Sequence, residues 1–121
     1  MARKSRKEEN LKKILDSILV LGTEVGFEKM AIADIAKRAD ISPGTLYIYF
    51  KDKNEMMLWV FRTVGLQIEE HLLDGFKAND SVEKRVKFLF KKVVSFYLKN
   101  QNAFYFVNHF VSVNYGTKHS I

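Results

Sequence analysis

The stretch Ser42-Pro43-Gly44-Thr45-Leu46-Tyr47-Ile48-Tyr49-Phe50-Lys51-Asp52-Lys53 decides how this chain is read. Ser followed by Pro is a helix start: the Ser hydroxyl accepts an orphaned backbone N–H, and the fixed φ of Pro suits the first helical position. The spacing predicts a short helix over 43–50. Leu46 and Phe50, four residues apart, share its buried face. Asp52 and Glu55 have capping-box spacing and open a longer helix.

Working upstream, Ile32, Ile35, Ala36 and Ala39 place a short helix over 32–39, and Asp40 and Ile41 supply a tight turn. Before it, Leu11, Ile14, Leu15, Ile18 and Val25 line one face of a first helix over about 7–25, closed by Gly26 in a left-handed conformation, after which Phe27 re-enters the core. Working downstream, Met57, Phe61, Val64, Ile68 and Leu72 carry the fourth helix to about residue 74, where Gly75 and the polar stretch 77–80 break it. Asp80 and Glu83 repeat the capping spacing and open a fifth helix over about 81–99. Asn100 and Gln101 interrupt; a sixth helix spans 102–114 and a frayed tail 115–121. The fold class is all-α.

Helix, tight turn and short helix over 31–50 have the geometry of a helix-turn-helix, whose second helix lies in the major groove of double-stranded DNA. Such a helix must be short, held from behind by apolar contacts, and small near its start so that the DNA backbone can approach. Leu46 and Phe50 provide the anchoring, and Ser42, Pro43, Gly44 and Thr45 the close approach. Thr45, Ile48 and Tyr49 project outward. Ile48 suits a thymine methyl, and the hydroxyls of Thr45 and Tyr49 suit bases or phosphates. Lys53 sits in the first turn of the fourth helix, where a cation opposes the helix dipole. With the helix N–H groups it could hold a phosphate; the plain alternative is a solvated surface lysine.

Composition adds less. The net charge of +6 suits a polyanionic partner, but it is spread evenly, +3 on residues 1–62 and +3 on residues 63–121. The first 13 residues, with Arg3, Lys4, Arg6 and Lys7 among six basic side chains, read as a solvated terminus or a DNA arm. The absence of cysteine excludes disulfides, thiolate metal sites and a cysteine nucleophile. No apolar run is long enough for a membrane span and no signal-peptide core follows the basic start, so a soluble cytoplasmic protein is expected. His71, His109 and His119 lack the spacing of a helical metal pair. Neither phosphate loop nor nucleophile elbow is present, so neither an enzyme nor a cofactor is expected.

Residues 8–68 resemble the DNA-binding domain of the TetR family of transcriptional repressors. The run from Ser42 to Lys53 is similar to that family's signature, in which S-x-G-T-L-Y precedes two aromatic or histidine positions, F, and a closing K. Ile14-Leu15, Gly26-Phe27, and Asp34-Ile35-Ala36 followed by Ala39 also fall at the family's spacings. The resemblance implies that Thr45, Tyr47 and Tyr49 contact DNA and that Lys53 clamps a phosphate. It implies a ligand-responsive repressor, a homodimer on a palindromic operator, released by a small molecule bound in the C-terminal helical domain. The chain departs from the pattern at four positions. Ala31 replaces the usual Ser or Thr cap, Ala33 a common Arg, Asp40 a turn Gly, and Ile48 a polar or aromatic residue, which bears on the operator sequence.

The resulting organisation is a DNA-binding domain over 1–55 joined through the fourth helix to a helical ligand-binding and dimerisation region over 56–121. The fifth and sixth helices are too apolar for a free surface, since a two-helix unit buries one stripe from each. Full regulators of the resembled family are longer, so the expectation is a truncated product or fragment. A partner chain or a rearranged dimer would also cover these faces. Phe88, Phe96, Phe104, Phe106 and Phe110 either line a pocket for a hydrophobic or aromatic inducer or simply pack the core. A competing reading is a helical protein-interaction module without specific DNA binding.

Overall fold

The computed structural model describes residues 5–118, and the side chains of residues 5–113. The expectations for Arg3, Lys4, His119 and the end of the tail lie outside the described residues. The elements are α1 (Arg6–Val25), α2 (Ile32–Ala39), α3 (Pro43–Tyr49), α4 (Lys53–Leu73), α5 (Val82–Lys99) and α6 (Gln101–Lys118).

Helix α1 starts where the Ser5 hydroxyl accepts the Glu8 N–H at 3.1 Å and buries Ile14, Leu15 and Ile18. Val25, expected on that buried face, is 48% exposed. The reason is the chain reversal at Gly26, which has φ 94° and ψ 138°. This is a positive-φ conformation open to glycine, but it is not the left-handed helical one expected. The turn delivers Phe27 into the core in place of Val25. Phe27 then packs so closely on Gly22 that a Cβ built there would overlap its ring.

Helix α2 begins at Ala31 without a side-chain cap and ends on Asp40 in the left-handed region, φ 57° and ψ 47°. The Ile41 N–H reaches the Ala36 carbonyl at 3.0 Å and the Asp40 N–H reaches that of Lys37 at 3.2 Å. This pair of bonds is a Schellman motif, with Asp taking the place usually given to Gly.

The cores of α4 differ from the expected stripe. Met56, Val60 and Val64 are its fully buried residues, whereas Met57, Phe61, Ile68 and Leu72 are half-buried. A single stripe does not describe α4 because it closes the N-terminal core and also packs on α5 and α6. The Phe61 ring, for example, stacks on Phe110 of α6 at 4.3 Å. The cap of α5 is also one residue later than expected. Ser81, not Asp80, accepts the Lys84 N–H, at 3.3 Å, while the Asp80 N–H closes the preceding turn on the Lys77 carbonyl. Helix α6 follows after Asn100 alone and runs to Lys118, past the predicted end. The backbone and side-chain N–H groups of Asn100 both bond the Phe96 carbonyl, and its own carbonyl accepts from Ala103 and Phe104.

The core is continuous from Ile14 and Ile35 through Leu46, Met56 and Val60 to Phe96, Ala103 and Phe106. The link runs through Phe27, whose ring meets Phe106 edge-on at 5.3 Å and lies 5.4 Å from His109. A Thr23–Asn102 side-chain hydrogen bond of 3.1 Å ties α1 to α6 beside it. Outside this core, Val82, Val86, Phe90, Val94 and Leu98 recur every fourth residue along α5, and all are exposed, Phe90 at 70%.

Candidate nucleic-acid interface

Helix α3 has only seven residues, too few to be stable by itself. Its conformation is fixed from outside. At its start the Ser42 hydroxyl accepts the Thr45 N–H at 3.1 Å and also pairs with the Thr45 hydroxyl at 2.9 Å. Pro43 occupies the first turn. From behind, Leu46 and Phe50 are buried, and the Phe50 ring lies 5.0 Å from that of Trp59 on α4. Phe50 itself is extended and stops the helix.

This leaves one face of α3 turned to solvent. Ile48 is 79% exposed and Tyr47 54%. Ser42, Pro43 and Gly44 are exposed beside them. Around Gly44 the nearest atom to a built Cβ is the Ser42 hydroxyl, at 3.8 Å, so the fold itself leaves room at this position. Thr45 is half-buried, with its hydroxyl engaged in the cap.

Three residues differ from the sequence reading in their surroundings, and Thr45, read as projecting outward, is the first of them, half-buried with its hydroxyl turned to Ser42. Tyr49 was expected to project outward; it is half-buried, lies edge-on to Phe50 at 6.4 Å, and accepts a hydrogen bond on its hydroxyl from the Asn10 side-chain amide at 3.1 Å. Its ring is drawn back because α1 passes behind the end of α3. Lys53 is half-buried, and its ammonium donates to the Glu28 carbonyl at 3.0 Å. Burial lowers its pKa from the usual 10.5, and the Glu28 charge partly opposes that shift. Lys53 therefore braces the α1–α2 connection against the start of α4.

Asn10 and Glu28 escaped the sequence reading. Both lie outside the Ser42–Lys53 run, and no local pattern marks a residue whose partner is 39 or 25 positions away. Ala31 and Ala33 are exposed and offer no polar contact.

The five phenylalanines do not converge. Phe88 packs on Phe76 and under Lys92, and Phe96 is buried against His71. Phe104 is 47% exposed beside Tyr97. Phe106 and Phe110 stack on one another and line an open cleft with Phe27, Met57, Leu58 and His109. The rings meet different partners, and on α6 Phe104 is 47% exposed while Phe106 is fully buried, so helical spacing alone does not bring all five to one wall.

The profile of bacterial regulatory proteins of the TetR family matches residues 14–60. The HTH-type transcriptional regulator BetI of Escherichia coli is 32% identical over 78 residues, covering 63% of this chain and 40% of that protein. The fatty acid metabolism regulator protein of Bacillus subtilis is 24% identical over 97 residues, covering 80% of this chain and 50% of that protein. A TetR family transcription regulator from Marinobacter aquaeolei superposes with a TM-score of 0.80 at 25% identity, over 88% of this chain and 56% of that one. A TetR-family regulator from Haemophilus influenzae shares the fold, with a TM-score of 0.72 at 21% identity over 82% of this chain and 54% of that one. The chain thus spans between 40 and 50% of the length of these curated relatives. Residues 14–60, with the exposed face of α3 at their centre, match the TetR family of bacterial regulatory proteins, and the chain is similar to regulators of that family over roughly half of their length.

Proposed function

We propose that this chain is the DNA-binding part of a ligand-responsive transcriptional regulator, a repressor that acts as a homodimer on a palindromic operator in the cytoplasm. The observation that carries this reading is the outward face of α3. A short helix, capped by Ser42 and anchored by Leu46 and Phe50, holds Tyr47 and Ile48 away from the protein where burial would reward Ile48. Residues Ser42, Pro43, Gly44 and Thr45 form the side of closest approach. Tyr47 and Ile48 reach base edges, and Tyr49 and Lys53 address the phosphates. For Lys53 this requires the ammonium to share itself between the Glu28 carbonyl and a phosphate, within reach of the α4 N-terminus.

Residues 1–55 form the docking unit in this reading, and residues 56–121 begin the regulatory region. Names of the relatives describe regulators, which favours binding over catalysis. No helix among the described residues is long and apolar enough to cross a membrane. A small hydrophobic or aromatic effector is placed against Phe106 and Phe110, since these two of the five rings share a cleft. The exposed α5 stripe favours the second reading, an interaction module without specific DNA binding.

The test is a gel shift against the DNA flanking the protein's own coding region, with salt varied. Sequence-specific retention that weakens steeply with salt is expected. Tyr47→Ala and Lys53→Ala should each weaken it. Unchanged affinity in both variants would sink the docking geometry, and equal retention of scrambled DNA would favour the interaction module.

A further inference from the structure

The recognition helix is secured at its first turn by Ser42 and along its back by Leu46 and Phe50. Its last residue, Tyr49, is held by a different device. The Asn10 side-chain amide, in the second turn of α1, donates to the Tyr49 hydroxyl at 3.1 Å, and both residues are half-buried. Among the described residues this is the polar side-chain tie between α1 and α3. We propose that Asn10 is a positioning residue for DNA binding, acting through Tyr49; the inference rests on the DNA-binding reading given above.

The chemistry follows from the inventory of a phenol. A Tyr hydroxyl has one proton to donate and lone pairs to accept with. Asn10 occupies an acceptor position, and among the described residues no acceptor takes the Tyr49 proton. That proton is therefore available beyond the protein, where the acceptors on DNA nearest the end of a groove-bound helix are phosphate oxygens. The ring is already fixed by Phe50 and Asn10, so its rotamer freedom is given up on folding and not on binding. Phosphate contacts set register and carry no base identity. Loss of Asn10 should therefore weaken binding to all duplexes alike, and not change which sequence is preferred.

The experiment uses the full chain, a duplex enriched from a randomised library by the wild-type protein, and a scrambled duplex of the same composition. Affinities of wild type, Asn10→Ala, Tyr49→Phe and the double variant are measured by fluorescence anisotropy. Thermal denaturation checks that each variant folds; Asn→Ala in a helix favours the helix, and Tyr49→Phe keeps the ring. Each single variant should bind both duplexes about 2- to 10-fold more weakly, the range for one hydrogen bond, with the ratio between duplexes unchanged. The double variant should be no weaker than Tyr49→Phe, since Asn10 acts only through that hydroxyl. Unchanged affinity in Asn10→Ala overturns the inference while leaving the DNA-binding reading intact, as do losses that multiply in the double variant. A wild-type protein that enriches no duplex overturns both.

Discussion

At Ile48 an apolar side chain stands in water, with no neighbour in the fold to cover it. Burying such a side chain is worth about 1.5–3 kcal/mol, and the fold forgoes it here. Ile48→Ala should therefore leave the denaturation midpoint almost unchanged, within about 0.5 kcal/mol, as surface changes do. It should weaken binding to the selected duplex by about 1–3 kcal/mol and relax the preference at one thymine position, read by competition with single-base variants. This separates Ile48 from Tyr49, whose loss should lower affinity without touching preference. Lys53 gives a second test at this scale. Its pKa is lowered in the fold, chiefly by burial. Between the folded value and the unfolded one the unfolded chain holds more protons, so stability attributable to Lys53 rises with pH through that window below 10.5. In Lys53→Met the urea midpoint should lose that alkaline gain.

The helix ends are where single substitutions act on a whole element. Ser42 satisfies the start of α3 with a 3.1 Å bond, and Ala31 leaves the start of α2 without a side-chain cap. Ser42→Ala should cost about 1 kcal/mol of stability and weaken DNA binding as well, because α3 is too short to hold its shape without the cap. Ala31→Ser should do the reverse for stability, adding about 0.5–1 kcal/mol by calorimetry. A fall in the melting temperature of Ala31→Ser would show that the α2 start has no room for a cap. Capping signals were mostly legible in the sequence: Ser42, Asp52 and the Asp40 turn stand where local chemistry puts them. The α5 cap was not, because Asp80 and Ser81 are both good caps and the preceding turn decided between them.

Across the whole molecule the N-terminal helices and α6 share one core through Phe27. Gly22 makes this possible, since any side chain there would displace the Phe27 ring. Gly22→Ala should cost about 1–3 kcal/mol from overpacking, despite the better helix propensity of Ala. Phe106→Ala, at a fully buried site, should cost about 3–5 kcal/mol. If the core is continuous, far-UV and near-UV signals should fall together in urea in both variants. Separate transitions would mean that the α1–α6 contact does not couple the two regions. The bare stripe on α5 belongs to this scale too: periodicity announced surplus apolar surface, and the structure shows that α4 and α6 leave one side of it open.

The sequence by itself determined the helices, the helix-turn-helix and the exposure of Ile48 on α3, because caps, turns and apolar spacing are local and act within one or two turns of chain. Even Leu46 and Phe50 could be assigned to the core from their spacing alone. Only the tertiary structure decided that Val25 yields its place to Phe27, that α4 buries two faces, and that five phenylalanines serve different walls. It also decided that Asn10 holds Tyr49 and Glu28 holds Lys53. Those pairings join residues far apart in the chain, and the distance between them is set by how helices pack, which no local pattern encodes.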